Sequence, residues 1–161
     1  MEFKHTDITE WGSASKRDDE AVKMMLEHRR PEGVLQKASL RGKEYAWRQA
    51  DVREAVLAAE QTGLATLGGQ TQFRLPDGTC ELYWLDFDAS SMKTGETWQQ
   101  FVDRSAQESL SQFEQMCQTV DFVQEGIRAF SILGEKAEAE DIGLYLCFVI
   151  YFVSEETYRQ L

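Results

Sequence analysis

The sequence has few of the residues that build loop-rich or disulfide-stabilised folds. Its 161 residues include only 2 prolines and 3 cysteines. The cysteines (Cys80, Cys117 and Cys147) stand far apart within apolar stretches, and none forms a CxxC pair. An odd number of widely spaced cysteines argues against a disulfide framework and against a zinc knuckle. We therefore expect buried free thiols in a reducing compartment.

Histidine is equally scarce, and long apolar runs are missing. The two histidines, His5 and His28, do not lie beside a serine or cysteine in a recognisable nucleophile motif. The longest apolar run, residues 144–153, has about ten residues and is too short to cross a bilayer as a helix. The N-terminal residues do not have the pattern of a signal peptide. These features predict a soluble, cytoplasmic protein that makes no membrane contact.

Acidic residues are in excess, and they are unevenly distributed along the chain. The net charge is −11. Residues 1–60 carry 11 basic and 12 acidic side chains, whereas residues 61–161 carry 6 and 16. Such a surface repels phosphate backbones, which disfavours direct nucleic-acid binding, and it attracts basic proteins. A requirement for solubility alone would also explain the excess acid.

The length and the hydrophobic content of 42% predict one α+β domain over residues 1–161. Residues 1–14 are expected to form a loose N-terminal arm. We expect a mostly antiparallel sheet of about four strands, with N-terminal helices and one long amphipathic helix packed on it. Residues 30–46 and 120–135 are each compatible with more than one structure. The first is compatible with a short helix before a turn, and the second with a helix followed by a strand over residues 129–133.

Helix signals are clear at three places. Residues 16–29 have an apolar stripe and acids in the first turn. A second helix should begin at Asp51, which has Glu54 three positions later in a pattern like a capping box. Thr97 and Gln100 form a capping box before the longest helix, which should run to about residue 119.

The strand signals centre on one hairpin around Pro76, Asp77 and Gly78. Proline suits the first central position of a tight turn, and glycine would accept the positive φ that follows. The strand after the turn is apolar on both faces over residues 82–87, which predicts that it lies deep in the sheet. The β-branched and aromatic run at residues 144–153 predicts the central strand. Upstream, the pair at residues 68–69 predicts a bulge or a bend, or backbone amides that hold a ligand.

Carboxylates and aromatic side chains meet where the hairpin ends. Asp86 and Asp88 would lie on one side of the pleat, with Glu96 beyond them. Three interpretations remain open for these acids. They are solvated residues at a loop junction, ligands of a divalent cation in a metal-assisted enzyme, or part of a partner-binding edge. In the last case, Tyr83 and Trp84 would supply the aromatic anchors.

Two stretches resemble small acidic bacterial proteins that are encoded beside polymorphic toxins as immunity proteins. They are Leu-Gly-Gly-Gln-Thr-Gln-Phe at residues 67–73 and Pro-Asp-Gly-Thr-Cys-Glu-Leu-Tyr-Trp-Leu at residues 76–85. The likeness covers about a third of the chain and does not identify one immunity family. It implies a cytoplasmic, non-enzymatic inhibitor that binds and blocks one cognate toxin domain. Because such families use different surfaces, no binding residues are transferred from the resemblance.

The resulting hypothesis is a protein-binding module without a cofactor, a resident metal or catalytic residues. A chaperone or adaptor for a secreted effector is the first alternative, and an enzyme that uses a metal at Asp86 and Asp88 is the second. The partner would be a basic toxin or effector domain. The predicted contact surface consists of aromatic and acidic side chains from the end of the hairpin and from the acidic segment near residue 138: Tyr83, Trp84, Asp86, Asp88, Glu96, Glu135, Glu138, Glu140 and Asp141.

Overall fold

A computed structural model describes residue 35 and residues 37–161. The predictions for residues 1–14 and 16–29 and for the two histidines lie outside the described residues. The strands are β1 (Ser39–Arg41), β2 (Glu44–Trp47), β3 (Ala65–Leu75), β4 (Gly78–Asp86) and β5 (Leu146–Val153). The helices are α1 (Val52–Gln61), α2 (Trp98–Thr119), α3 (Phe122–Ala129), α4 (Ser131–Ala137) and α5 (Glu155–Gln160), with 3-10 turns at Gln49–Asp51 and Ile142–Tyr145.

The strands form one antiparallel sheet in the order β1-β2-β5-β3-β4. The predicted α+β class is confirmed, and the described residues form five strands in place of about four. Strand β5 lies in the middle, as predicted, and all of its residues are buried. It joins the β1–β2 hairpin to the β3–β4 hairpin, which makes it the strand on which the continuity of the sheet depends.

One face of the sheet is apolar and carries the helices. Phe148 on β5 has its ring centroid 5.0 Å from that of Phe113 on α2 and 5.2 Å from that of Phe122 on α3. Phe87, which follows β4, lies 6.4 Å from the same ring. Edge-on aromatic packing of this kind stabilises a core beyond the area that it buries. This cluster fixes α2 and α3 against the sheet.

The opposite face of the sheet is polar, and the sheet curls toward it. Arg41 on edge strand β1 donates hydrogen bonds to the Gly78 carbonyl (3.0 Å) and to Thr79 Oγ1 (2.9 Å) on the other edge strand. In a flat sheet, four strand spacings would separate these edges by roughly 19 Å, beyond the reach of one side chain. The twist natural to strands is therefore large enough to bring β1 and β4 together. The polar side chains on this inner face are Glu44, Gln70, Gln72, Arg74, Glu81 and Tyr151.

Two predictions about the central hairpin are wrong. Strand β4 is an edge strand that exposes Tyr83 and Trp84, whereas β3 is the deeper strand. The apolar residues of β4 predict a strand that is covered on both faces, but several of them lie in an irregular, outward-facing segment. Gly78 pairs with Leu75 and is not among the positive-φ glycines. It therefore takes the last position of the turn, where glycine is also favoured, and the central positions belong to Pro76 and Asp77.

Residues 120–135 differ from expectation, and residues 30–46 contain a hairpin that was not predicted. The strand predicted over residues 129–133 is absent, because these residues end α3 and begin α4. Only Leu133 of α4 is buried. Leu133 packs against the core from a helix, which accounts for the apolar pattern. A short apolar run has the same pattern in a buried helix and in a strand, so the sequence does not distinguish the two. Residues 39–47 form the β1–β2 hairpin. The short helix expected before this point falls mainly on residues outside the described part of the chain.

Both predicted helix starts are correct in position, but only one is capped as predicted. Thr97 Oγ1 accepts from the Gln100 N–H (3.1 Å), and Gln100 Oε1 accepts from the Thr97 N–H (2.9 Å), which completes a capping box. The long helix ends at Thr119, as predicted. Asp51 makes no capping hydrogen bond. Its carboxylate instead lies 3.6 Å from Lys37 Nζ.

We predict that Gly69→Ala destabilises the protein by about 3 kcal/mol, because the added methyl overfills the centre of the sheet. A Cβ at this position would lie 2.2 Å from the Val149 carbonyl oxygen and 2.3 Å from Phe87 Cζ. Urea unfolding followed by circular dichroism measures the change. Gly134→Ala on α4 is the matched control, because its Cβ would meet only Ile127 Cγ2 at 3.6 Å. The control should stabilise by up to about 1 kcal/mol, and equal effects of both variants would contradict the prediction.

Candidate partner-binding surface

An irregularity in β4 pushes two aromatic rings out of the sheet. Leu82 pairs with Thr71 and Asp86 pairs with Gln70, so residues 83–85 have no opposite residues on β3. The Thr71 hydroxyl donates to the Leu85 carbonyl at 2.9 Å and holds the end of these unpaired residues against β3. We call residues 83–85 the aromatic bulge. Bulges typically redirect side chains at sheet edges, and this one does so for Tyr83 and Trp84.

The two rings of the aromatic bulge are held in place. Tyr83 and Trp84 are 38% and 36% exposed, and their ring centroids lie 5.2 Å apart at an interplanar angle of 88°. Trp84 Nε1 donates to Glu125 Oε1 on α3 at 3.0 Å. Hydrogen bonds from Arg128, and then from Trp84, lower the pKa of Glu125 to about 2. The indole is therefore anchored by a carboxylate that stays ionised, and it loses little conformational freedom when a partner binds.

Asp86 and Asp88 follow the aromatic bulge, and their carboxylates have different environments. Asp86 ends β4 and is exposed. Asp88 is half-buried, and its Oδ1 makes no hydrogen bond within the described part of the chain. Burial, and then the charge of Asp86, raise the pKa of Asp88 to about 6. Asp88 also lines a shallow depression of about 670 Å³ beside α2.

The glycine pair before the hairpin makes room for this arrangement. Gly68 has φ +141°, and a Cβ there would lie 2.2 Å from Asp88 Oδ1 and 2.6 Å from Asp88 Cα. The register of β3 against β5 shifts between Thr66 and Gly68. The predicted bulge is therefore present. The close approach of the glycines is to the protein's own Asp88 and Phe87. The alternative that the amides hold a ligand stays a prediction.

Glu96 has an internal partner. It forms an ion pair with Arg104 of α2 through both oxygens, at 2.6 and 2.8 Å, and it accepts a hydrogen bond from the Lys93 N–H. Hydrogen bonds from Arg104 lower the pKa of Glu96 to about 2. The side chain is only 10% exposed. Its charge is thus neutralised inside the protein and contributes little to an outward-facing acidic surface.

The remaining predicted acids lie at the other end of the hairpin. Lys136 Nζ lies 3.9 Å from Asp77 Oδ1, which places α4 beside the β3–β4 turn. Five residue steps of β3, about 17 Å, separate that turn from the pairing position of Asp86. Glu140 accepts from the Tyr145 hydroxyl (2.7 Å), and Asp141 caps the following 3-10 turn. Glu135 and Glu138 are exposed. The structure therefore does not bring this patch together with Asp86 and Asp88.

Glu125 and Arg128 belong to the surface but were missed by the sequence analysis. They lie on α3, in the segment for which the sequence favours a helix followed by a strand. Their spacing of three residues is the signal that was available, because such a pair faces one side of a helix. Nothing in the sequence places that side of α3 against Trp84. This contact depends on the packing of α3 on the sheet.

The comparisons with known proteins leave the family open. No family model, no curated protein and no solved structure matches the chain. In residue 35 and residues 37–161, no helix is long and apolar enough to cross a membrane. The same residues contain no group of three or more histidine, cysteine, aspartate or glutamate side chains arranged to hold a metal ion. Asp86 and Asp88 therefore have no third ligand of these types within the described chain.

We predict that Asp88→Asn removes part of the pH dependence of stability. An acid whose pKa is higher in the folded state takes up protons on folding. For Asp88, stability should therefore fall as the pH rises from about 3.9, the unfolded value, through the folded value of about 6. Relative to the parent, the variant should gain on the order of 2 kcal/mol of unfolding free energy between pH 4 and pH 7.

Urea unfolding over this pH range provides the measurement. Glu138→Gln removes an exposed carboxylate from another part of the surface and controls for the change in net charge. A difference curve for Asp88→Asn that is flat between pH 4 and pH 7 would show that Asp88 does not carry the raised pKa.

Proposed function

We propose that the protein is a non-enzymatic binding module that contacts a basic, folded protein domain through the aromatic bulge and the adjoining Asp86 and Asp88. In its most specific form, the proposal is an immunity protein that neutralises a cognate bacterial toxin domain. That form rests on the resemblance of residues 67–73 and 76–85 to immunity proteins. The binding role itself rests on the geometry of β4.

The observation that carries the proposal is the exposure of two ordered aromatic rings on an edge strand. Tryptophan and tyrosine are the side chains most enriched among the residues that dominate binding energies. Tyr83 and Trp84 are more than a third exposed, and Trp84 is nevertheless held by Glu125. A ring that is already ordered before binding loses less entropy on association.

The charge of this region supports a basic partner. Residues 61–161 carry 16 acidic and 6 basic side chains. Asp86 is exposed beside the aromatic bulge, and the acids of this region give the partner a long-range attraction. Charges of this kind at the rim of an interface mainly increase the association rate, whereas buried aromatic anchors slow dissociation. The two kinds of residue therefore have separable kinetic effects.

The first test is recovery of the full-length tagged chain from its own host, with identification of the proteins bound to it. The proposal predicts one stoichiometric, basic partner that is folded when expressed alone and toxic to the host. A non-toxic secreted effector bound as an extended segment would replace the inhibitor role by that of a chaperone. Recovery of the chain without any protein would contradict both roles.

We predict that Trp84→Ala weakens binding to the recovered partner about 30-fold, mainly through faster dissociation. Surface plasmon resonance separates the two rate constants. Trp98→Phe is the control for loss of an indole elsewhere, because Trp98 packs on Phe101 and Tyr158 rather than on β4. An unchanged dissociation rate for Trp84→Ala would exclude the aromatic bulge as the anchor.

We predict that Asp86→Lys slows association roughly tenfold at low ionic strength, and that the difference shrinks as salt screens the charge. Glu138→Lys makes the same charge change in the acidic patch beside α4. It should have a smaller effect if the contact surface is at the end of β4. A larger effect of Glu138→Lys would move the contact surface to the other end of the hairpin.

A further inference from the structure

Three arginines meet at one pocket on the curled side of the sheet. Arg41 on β1, Arg48 after β2 and Arg74 on β3 line a cavity of about 290 Å³. The buried Cys147 of β5 also lines the cavity, as does Tyr145, which immediately precedes β5. Arg41 and Arg48 come from the β1–β2 hairpin, and curling of the sheet brings Arg74 of β3 beside them. In a chain with a net charge of −11, such a concentration of positive charge is unexpected.

These three charges are not neutralised by acids of the described chain. In residue 35 and residues 37–161, no carboxylate lies within ion-pairing distance of Arg41, Arg48 or Arg74. Glu44 and Glu81 both attract Arg74 electrostatically, but neither forms an ion pair with it, and the Glu44 carboxylate accepts a hydrogen bond from the Tyr151 hydroxyl at 2.8 Å. The pocket therefore retains a local excess of positive charge.

The hydrogen bonds of the arginines orient the guanidiniums without neutralising them. Arg48 Nη1 donates to the Leu144 carbonyl, and Arg41 Nη1 donates to the Gly78 carbonyl and the Thr79 hydroxyl. Arg74 donates to neutral acceptors only, including the carbonyls of Ser39 and Glu44. Nε and Nη2 of Arg41 and Arg48 make no hydrogen bond to the described residues. These donors are available to a ligand, and the guanidinium fork matches oxyanions in geometry.

Electrostatic effects on neighbouring groups show that the guanidiniums share one small volume. Burial raises the pKa of the Cys147 thiol to about 11, and the positive charges of Arg74, Arg41 and Arg48 each oppose that rise. Burial lowers the pKa of Arg74, and the charge of Arg41 lowers it further. Arg41 and Arg74 therefore repel each other, and a bound anion would relieve this repulsion.

We propose that this pocket binds a small molecule through a phosphate monoester, with Arg41, Arg48 and Arg74 around the phosphoryl oxygens. A dianionic group with three terminal oxygens can be contacted by guanidiniums on three sides, whereas a carboxylate offers only two oxygens. The exposed rim includes Leu40 and Leu144, which are 50% and 61% exposed. They would contact an apolar substituent of the ester. The proposal is independent of the binding role assigned to the aromatic bulge.

Isothermal titration calorimetry of the full-length chain with phenyl phosphate tests the proposal at constant ionic strength. We expect saturable binding at one site, weaker binding of inorganic phosphate because it lacks the apolar group, and still weaker binding of benzoate. Arg48→Gln should raise the dissociation constant of phenyl phosphate roughly tenfold, because a charge-assisted contact is lost. Arg41→Gln should act in the same direction, so the test does not depend on the folding of one variant.

Two controls make the result specific to the pocket. Arg53→Gln removes an exposed arginine of α1 that pairs with Glu114, and it should leave the affinity unchanged. Arg48→Lys keeps the charge but loses the fork, so it should bind more weakly than the parent and more tightly than Arg48→Gln. No saturable binding to the parent, equal weakening by Arg53→Gln, or benzoate binding as tight as that of phenyl phosphate would overturn the proposal.

Discussion

Pairing of β5 with both hairpins is the interaction on which the rest of the structure depends. Val149 lies opposite Ala46 of β2 and Gln70 of β3, so a single strand joins the two halves of the sheet. Its residues are apolar and buried along the whole length, which makes the strand unstable in any position other than the centre. Phe148 then provides the surface on which the rings of Phe113 and Phe122 pack. Helices, sheet and hairpins are held together through this strand.

The two faces of the curled sheet carry different side chains, because residues along each strand alternate between them. The outer face packs apolar side chains against α2 and α3, and the inner face carries polar and charged side chains. Arg41 and Arg74 reach across strands on this inner side, from β1 to β4 and from β3 to β1 and β2. In a flat sheet these strands would lie too far apart for the methylene stem of one arginine to bridge them. The curvature that brings β1 near β4 also brings the three arginines to one pocket.

The two candidate sites are built in different ways and carry opposite charge. At the end of β4, an irregular pairing exposes aromatic rings among acids, and Glu125 orders the indole of Trp84. At the start of β5, regular pairing brings basic side chains from separate strands around Cys147. The first arrangement suits a large, basic partner, and the second suits a small anion. The negative net charge of the chain indicates only the first, acidic site.

Local patterns in the sequence determined the class of fold and the most strongly marked elements. The capping box at Thr97, the turn at Pro76 and the apolar run of β5 identify their elements because each depends on neighbouring residues. Only the tertiary structure shows that β4 lies at an edge, that residues 129–133 are helical, and that Glu96 forms an ion pair with Arg104. It also decided the contact between Trp84 and Glu125 and the meeting of the three arginines. The edge position of β4, the Trp84–Glu125 contact and the position of Arg74 beside Arg41 and Arg48 depend on strand order, curvature and helix packing, which are set by contacts between residues that are far apart in the chain.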